Sequence, residues 1–207
     1  MMILTAQMLK QHFSLQLPMD YHAEAIARTQ HINPTTLRKA AVLIGFVERE
    51  NGLHVLLTTR AKHLRHHPGQ VSFPGGKFES SDQRLNETAL RETEEELGIE
   101  RSSIEIFGQL PPLPTISGFQ VTPFLAQFSP RYQLNIDANE VDNAFEVPAT
   151  WLLSRTNLHT STFTIRGHQH RIFALNYQHH FIWGVTAQII DALQRQLISL
   201  YSDTRFT

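Results

Sequence analysis

A chain of 207 residues, 41% of them hydrophobic, is long enough to bury one well-packed domain with extensions. Its 18 Lys and Arg stand against 19 Asp and Glu, a net charge of −1, so no global field draws nucleic acid or an anionic membrane as partner, and any anion binding must be local. The absence of cysteine excludes disulfides, thiolate metal sites and cysteine nucleophiles, and leaves oxygen and imidazole as metal ligands.

The first residues, MMILTAQMLKQHF, lack a basic start followed by a long apolar core, and nowhere do about 18 apolar residues run together. A soluble, cytoplasmic protein is expected, without internal repeats or low-complexity segments. Residues 3–15 and 21–30 have helical spacing, with Leu4, Met8, Leu9 and Phe13 as an apolar stripe, and Pro18 separates them. They form a predicted N-terminal helical extension over residues 1–35, which either packs on the domain or serves as a contact in a homodimer.

Residues 39–48 (KAAVLIGFVE) and 53–59 (LHVLLTT) are rich in β-branched and apolar residues and read as two central strands, joined by a hairpin at Glu50-Asn51-Gly52. Next comes the run Arg60-Ala61-Lys62-His63-Leu64-Arg65-His66-His67. Such a run is usually a solvated face, yet this one directly precedes a glycine turn. Arg60 and Arg65 each offer a planar fork to a phosphate or, equally, to a structural carboxylate. His66 and His67 read as loop residues rather than a metal site.

Residues 69–100 carry the strongest signal. Pro74-Gly75-Gly76 lets the backbone bend tightly and approach a ligand with no Cβ in the way. The helix that follows has Gly98 as its natural stop and Ser80, Ser81 or Asp82 as a cap for its start. At about 100° per residue, Glu92, Glu95 and Glu96 share one face, Leu90 and Leu97 point the other way, and Glu94 falls outside the cluster. Carboxylates at a helix C-terminus oppose the macrodipole by roughly 0.3–1 kcal/mol each, and like charges at i,i+4 add a few tenths more. A divalent cation with oxygen ligands, Mg²⁺ or Mn²⁺, would offset that cost, with backbone groups of Gly75 or Gly76 beside it. The plainer alternative is a solvated acidic face with Lys or Arg neighbours.

The order FPGG…ALRETEEELGI resembles the Nudix box, G-x5-E-x7-R-E-U-x-E-E-x-G-U with U apolar. Arg91 to Ile99 matches its second half with Thr93 at a U position, while Gly76 and Asp82 fit the first half with one extra residue before Arg91. The upstream run LLTTRAKHLRHHPGQVSFPGGKFE resembles the signature of the coenzyme A diphosphatase subfamily, whose box carries the same insertion. Ala61 replaces the usual Ser there, and Glu79 the usual Asp.

Several roles follow from the resemblance. It implies metal-assisted hydrolysis of a diphosphate, with Glu92 and Glu96 holding the cation, Glu95 a further ligand or base, a backbone carbonyl at Gly75 or Gly76 completing the metal shell, and Arg91 bracing the glycine loop. It also implies that Arg60, Arg65, Gly75 and Ser117 face a coenzyme A substrate, cut to 4′-phosphopantetheine and adenosine 3′,5′-bisphosphate. Another nucleoside diphosphate derivative, such as ADP-ribose or a dinucleotide, is an alternative substrate. A Nudix-like binding protein without turnover is the alternative of a different class, against which the intact Glu92, Glu95 and Glu96 argue.

Beyond the box, residues 103–110 read as a strand, and residues 110–119 as a loop, since Pro111, Pro112, Pro114 and Gly118 exclude helix and central strand. That loop is a candidate pocket wall. Residues 120–129 and 144–148 read as strands and 149–153 as a short helical turn. Glu140 lies where Nudix enzymes often carry a loop acid outside the box, a candidate general base or additional ligand. Residues 160–166 and 170–177 form a predicted hairpin around Gly167, with Thr162, Thr164 and Arg166 alternating. Residues 182–193 have helical spacing and resemble the IWGxTA segment of the same subfamily, with Trp183 read as core. The expected architecture is an α/β Nudix fold, a mixed sheet in an α/β/α sandwich over residues 36–200, with residues 201–207 as a frayed tail.

Overall fold

The computed structural model describes residues 4–15, 19–29, 31–165 and 167–197. Strands β1 (Arg38–Arg49) and β2 (Gly52–Arg60) form the expected hairpin, with Gly52 at a φ of 112° just after the turn. β1 is central because both its edges are paired. It runs antiparallel to β2 on one side and parallel to a distant strand, β7 (Phe119–Phe128), on the other. Strands β3 (Val71–Ser72) and β8 (Val141–Pro148) pair with β2, while β4 (Gly75–Lys77) pairs with β1. Strands β5 (Ile104–Gln109) and β6 (Leu113–Pro114) pair with β7. A single parallel junction among antiparallel ones makes the sheet mixed.

Alternation along β1 assigns its two faces. Ala41, Leu43 and Val47, with Leu56 of β2 and Phe124, Ala126 and Phe128 of β7, pack against helix α3 (Leu85–Leu97). Ile44 and Phe46, with Val55, Leu57 and Leu125, pack on the opposite side with Leu4 and Leu9 of the N-terminal segment and Ile189, Ile190 and Leu193 near the C-terminus. Helices therefore cover both faces, as the sandwich requires. Gly45 lies on the α3 face, where a side chain would overlap the Phe128 ring.

The N-terminal segment contains helices α1 (Ala6–Leu15) and α2 (Ala23–Ile26). Leu4, Ala6 and Leu9 are buried in the core, and the His12 ring bonds the Gln196 carbonyl at 2.7 Å. The described part of this segment thus packs on the domain. Pro18 and the tail at 201–207 lie outside the described residues. No helix among those residues is long and apolar enough to cross a membrane.

Past the short helix α4 (Ala149–Leu152), the chain builds a second, three-stranded antiparallel sheet from β9 (His159–Ile165), β10 (His168–Tyr177) and β11 (His180–Trp183). The hairpin turns at Gly167, φ 81°, as expected, and Arg166 lies outside the described residues. Two expectations fail at the next step. Ile182 and Trp183 close strand β11 rather than open the helix, and α5 (Gly184–Gln196) begins only at Gly184. Within that strand His180 and Ile182 point inward while Phe181 and Trp183 point out, so Trp183 is 46% exposed and not core. A helical period that begins at a strand's last inward residue looks continuous in sequence.

Candidate active site

The site forms where α3 lies directly on β4. Gly75 and Gly76 pair with Val42 and Ala41 of β1. A side chain at Gly75, whose φ is 149°, would meet the Ala41 carbonyl, and one at Gly76 would occupy the space of the Glu92 carboxylate. Glycine at 75 lets β4 lie against the β1 backbone, and glycine at 76 leaves the space that the Glu92 carboxylate fills. Along α3, Ala89, Thr93 and Leu97 form a buried stripe, Ala89 and Leu97 in the cluster with Ala41, Leu43 and Phe128, and the Thr93 hydroxyl is satisfied by the Ala89 carbonyl at 2.7 Å.

Glu96, only 3% exposed, accepts one hydrogen bond from the Gly75 N–H at 3.3 Å. Burial pushes its carboxyl up to about 8, and the charges of Glu92 and Glu140 add to the rise while the Gly75 bond and the charge of Arg60 oppose it. Glu92 is raised as well, chiefly by burial, against the pull of Arg91. Glu140, exposed on the loop between β7 and β8, completes the group: one carboxylate oxygen each from Glu92, Glu96 and Glu140 lies within 4.8 Å of the others.

This arrangement tests whether a divalent cation fits. Three hard oxygen donors converge, two of them with raised proton affinity, and Glu96 has a single donor for its buried charge. A cation of the Mg²⁺ or Mn²⁺ kind matches that donor set and would reverse both raised values.

Arg91 organises the rim. Its guanidinium forks onto Asp82 (2.9 and 3.0 Å), donates to the Lys77 carbonyl (3.1 Å) and bonds Glu92 (3.0 Å) and Glu95 (2.8 Å). Asp82 is buried, and the Arg91 fork holds its carboxyl well below the usual carboxylate range. The expected capping by Ser80, Ser81 or Asp82 is therefore corrected: α3 starts at Leu85 behind Arg84, which makes no side-chain cap, and Asp82 bonds Arg91, Thr88 and the Glu79 N–H instead. A charged fork outcompetes a neutral cap. The extra residue between Asp82 and Arg91 leaves the helix unbroken from Leu85 to Leu97.

The remaining sequence candidates divide. Arg60 is half-buried at the end of β2; its charge acts on Glu96, and its guanidinium makes no hydrogen bond or ion pair among the described residues. Arg65 is exposed on the following loop. Glu95 sits outside the group of three, held by Arg91 with its side chain 54% exposed. Ser117 is exposed and bonds Thr115 at 2.9 Å rather than the carboxylates. Sequence reasoning did not find the Asp82 fork, although Asp82 falls at the glutamate position of the box. It also missed the backbone anchors of the Glu140 loop, for which no side-chain signal exists.

Residues 36–164 match the family profile described as the NUDIX domain. This chain belongs to the Nudix hydrolase family. It is 46% identical over 161 residues to a NudL protein of Enterobacter sp. strain 638, described as an uncharacterized Nudix hydrolase, covering 77% of this chain and 83% of that one. A NudL protein of Citrobacter koseri, described likewise, is 43% identical over 169 residues, or 80% and 87% of the two chains. Among solved structures, a MutT/nudix family protein from Enterococcus faecalis aligns over 96% of this chain and 70% of its own with a TM-score of 0.50 at 14% identity, a likeness of fold. As a Nudix hydrolase the protein is an enzyme that acts on the diphosphate bond of nucleoside diphosphate derivatives.

Proposed function

We propose that this Nudix hydrolase cleaves the diphosphate of coenzyme A or an acyl derivative, releasing 4′-phosphopantetheine and adenosine 3′,5′-bisphosphate. The observation that carries the reading is Arg60, whose guanidinium acts electrostatically on Glu96 of the three converging carboxylates and has no hydrogen bond or ion pair among the described residues. It belongs to the LLTTRAKHLRHHPGQVSFPGGKFE run, whose resemblance to the coenzyme A diphosphatase signature supports the substrate. Lys62, His63, Arg65, His66 and His67 follow it on an exposed loop suited to an anion.

In this reading Glu92, Glu96 and Glu140 hold Mg²⁺ or Mn²⁺. When bound, that ion neutralises phosphate charge and acidifies a water. The Gly75-Gly76 backbone keeps Glu96 and Glu92 in place, Arg91 fixes helix to loop, and Arg60 binds a phosphoryl oxygen and orients the phosphorus toward the carboxylates. A water oxygen bonds to phosphorus, the bridging P–O bond breaks, and a carboxylate of the group takes the proton. Glu95 serves through Arg91, as the ion pair between them supports.

The test is a product assay with coenzyme A, ADP-ribose, NADH and a nucleoside triphosphate in parallel, each with Mg²⁺ or Mn²⁺. Adenosine 3′,5′-bisphosphate and phosphopantetheine from coenzyme A alone are expected. Cleavage of another compound in preference would overturn the substrate but keep the site.

A further inference from the structure

Glu140 ends a segment without regular structure, between Phe128 and Val141, and a side chain at such a place would ordinarily wander. Here the segment is docked on the C-terminal end of α3. A helix leaves its last carbonyls without intrahelical donors. The Glu94 carbonyl is taken by the Gly98 N–H (2.8 Å), the Glu96 carbonyl by the Asp137 N–H (3.0 Å), and the Leu97 carbonyl by the Asn135 N–H (2.8 Å). Gly98, at φ 68°, stops the helix and also makes room, since a side chain there would press on Asn135.

From that anchor Asp137 folds the chain back. Its own carbonyl accepts from the N–H groups of Glu140 (3.0 Å) and Val141 (2.9 Å), and its carboxylate Oδ1 accepts from the Asn139 N–H (2.9 Å) and Asn139 side-chain amide (2.8 Å). The Asp137 main chain thus joins the backbone of Glu96 to that of Glu140, and the Asp137 side chain fixes the turn between them through its two bonds from Asn139. On the far flank, the Ala61 N–H donates to the Glu140 carbonyl at 2.9 Å, and the His63 ring bonds the Asn139 carbonyl at 3.1 Å. Those contacts and strand β8 do not depend on the Asp137 side chain.

We propose that Asp137 is the positioning residue that holds the Glu140 carboxylate against Glu92 and Glu96, and so sets the affinity of the divalent-cation site. This rests on the reading of Glu140 as a ligand. Asp137 acts through Glu140 and does not touch the ion itself.

The experiment titrates metal-free protein with Mn²⁺ and reads free Mn²⁺ by its electron paramagnetic resonance signal, so no turnover is required. Asp137→Ala is expected to weaken binding by about 10-fold, the low end for residues that orient a ligand, and Glu140→Gln, which alters the ligand itself, by at least as much. The double variant should be no weaker than Glu140→Gln alone, because a residue that works only through Glu140 has nothing left to position. Asp137→Asn keeps the Oδ1 acceptor and should recover most of the affinity. Asn139→Ala removes only the side-chain half of the pin and should weaken binding about 2- to 3-fold, which tests the same geometry if Asp137→Ala does not fold. Wild-type affinity in Asp137→Ala, with Glu140→Gln weakened, would overturn the proposal. Effects that multiply in the double variant would overturn it too. Unchanged affinity in Glu140→Gln would instead sink the ligand reading and take the proposal with it.

Discussion

The two faces of the central sheet are built to different rules. On the face covered by α1, α4 and α5 the strands offer Ile44, Phe46, Val55, Leu57 and Leu125, all buried, and the polar groups buried in the covering helices are paired there, Asp191 with Arg155 and Arg195 and His12 with the Gln196 carbonyl. On the α3 face the small residues Ala41, Gly45 and Ala89 and the pair Gly75-Gly76 thin the layer, and Glu96 lies buried among them with Glu92 at its side. The first face pairs its buried Asp191 with two arginines, whereas the second leaves buried Glu96 with the Gly75 N–H alone, so its charge waits on a partner from outside the chain.

The largest effect that follows is on turnover. Glu96→Gln removes a converging carboxylate while keeping volume, and activity should fall below detection with circular dichroism unchanged; full activity would dismantle the α3 face as the reaction site. The mirror experiment is Phe46→Ala, which should cost about 3–5 kcal/mol in denaturant unfolding yet leave Mn²⁺ affinity within about twofold. If affinity collapsed with stability, the division between faces would be false.

A smaller effect separates the faces by pH. The folded value of Glu96, about 8, lies above its ordinary 4.5, so in this interval the folded chain keeps a proton that the unfolded chain has lost. Its contribution to metal-free stability is complete below 4.5 and disappears as pH rises through about 8. Thermal melts of metal-free protein should therefore drop across that window, Glu96→Gln should flatten the drop, and Mn²⁺ should stabilise most at the alkaline end. Smallest is Arg91→Lys, which replaces the fork on Asp82 by a single contact and should cost about 1–3 kcal/mol; a loss confined to activity would mean that Arg91 touches substrate rather than holding the loop.

What could be read beforehand follows the same division. Composition marks β1 and β2 because both their faces are buried, periodicity marks α3 because one of its faces is, and the glycine turn is legible because a side chain at Gly75 would meet the backbone of β1. Spacing puts Glu92, Glu95 and Glu96 on one face, but only the resemblance singles out Glu92 and Glu96, and Glu95 stands outside the group the fold assembles. Glu140 comes only through family resemblance, since its neighbours are brought together by backbone bonds to the helix end that any residue could make. Asp82 could be aligned with the box, but its partner could not be chosen between the helix cap and Arg91 without geometry. Trp183 misleads because a strand that runs straight into a helix leaves no turn signal between them.

The proposed cation site on the α3 face draws on Glu92, Glu96 and Glu140 together. Calorimetric titration of metal-free wild type and Glu96→Gln with Mn²⁺ at pH 7 tests it most directly. Wild type should bind with release of protons, because Glu96 is raised to about 8 without metal, and the variant should bind at least about 10-fold more weakly with that release reduced. Equal affinity in the two proteins would contradict it.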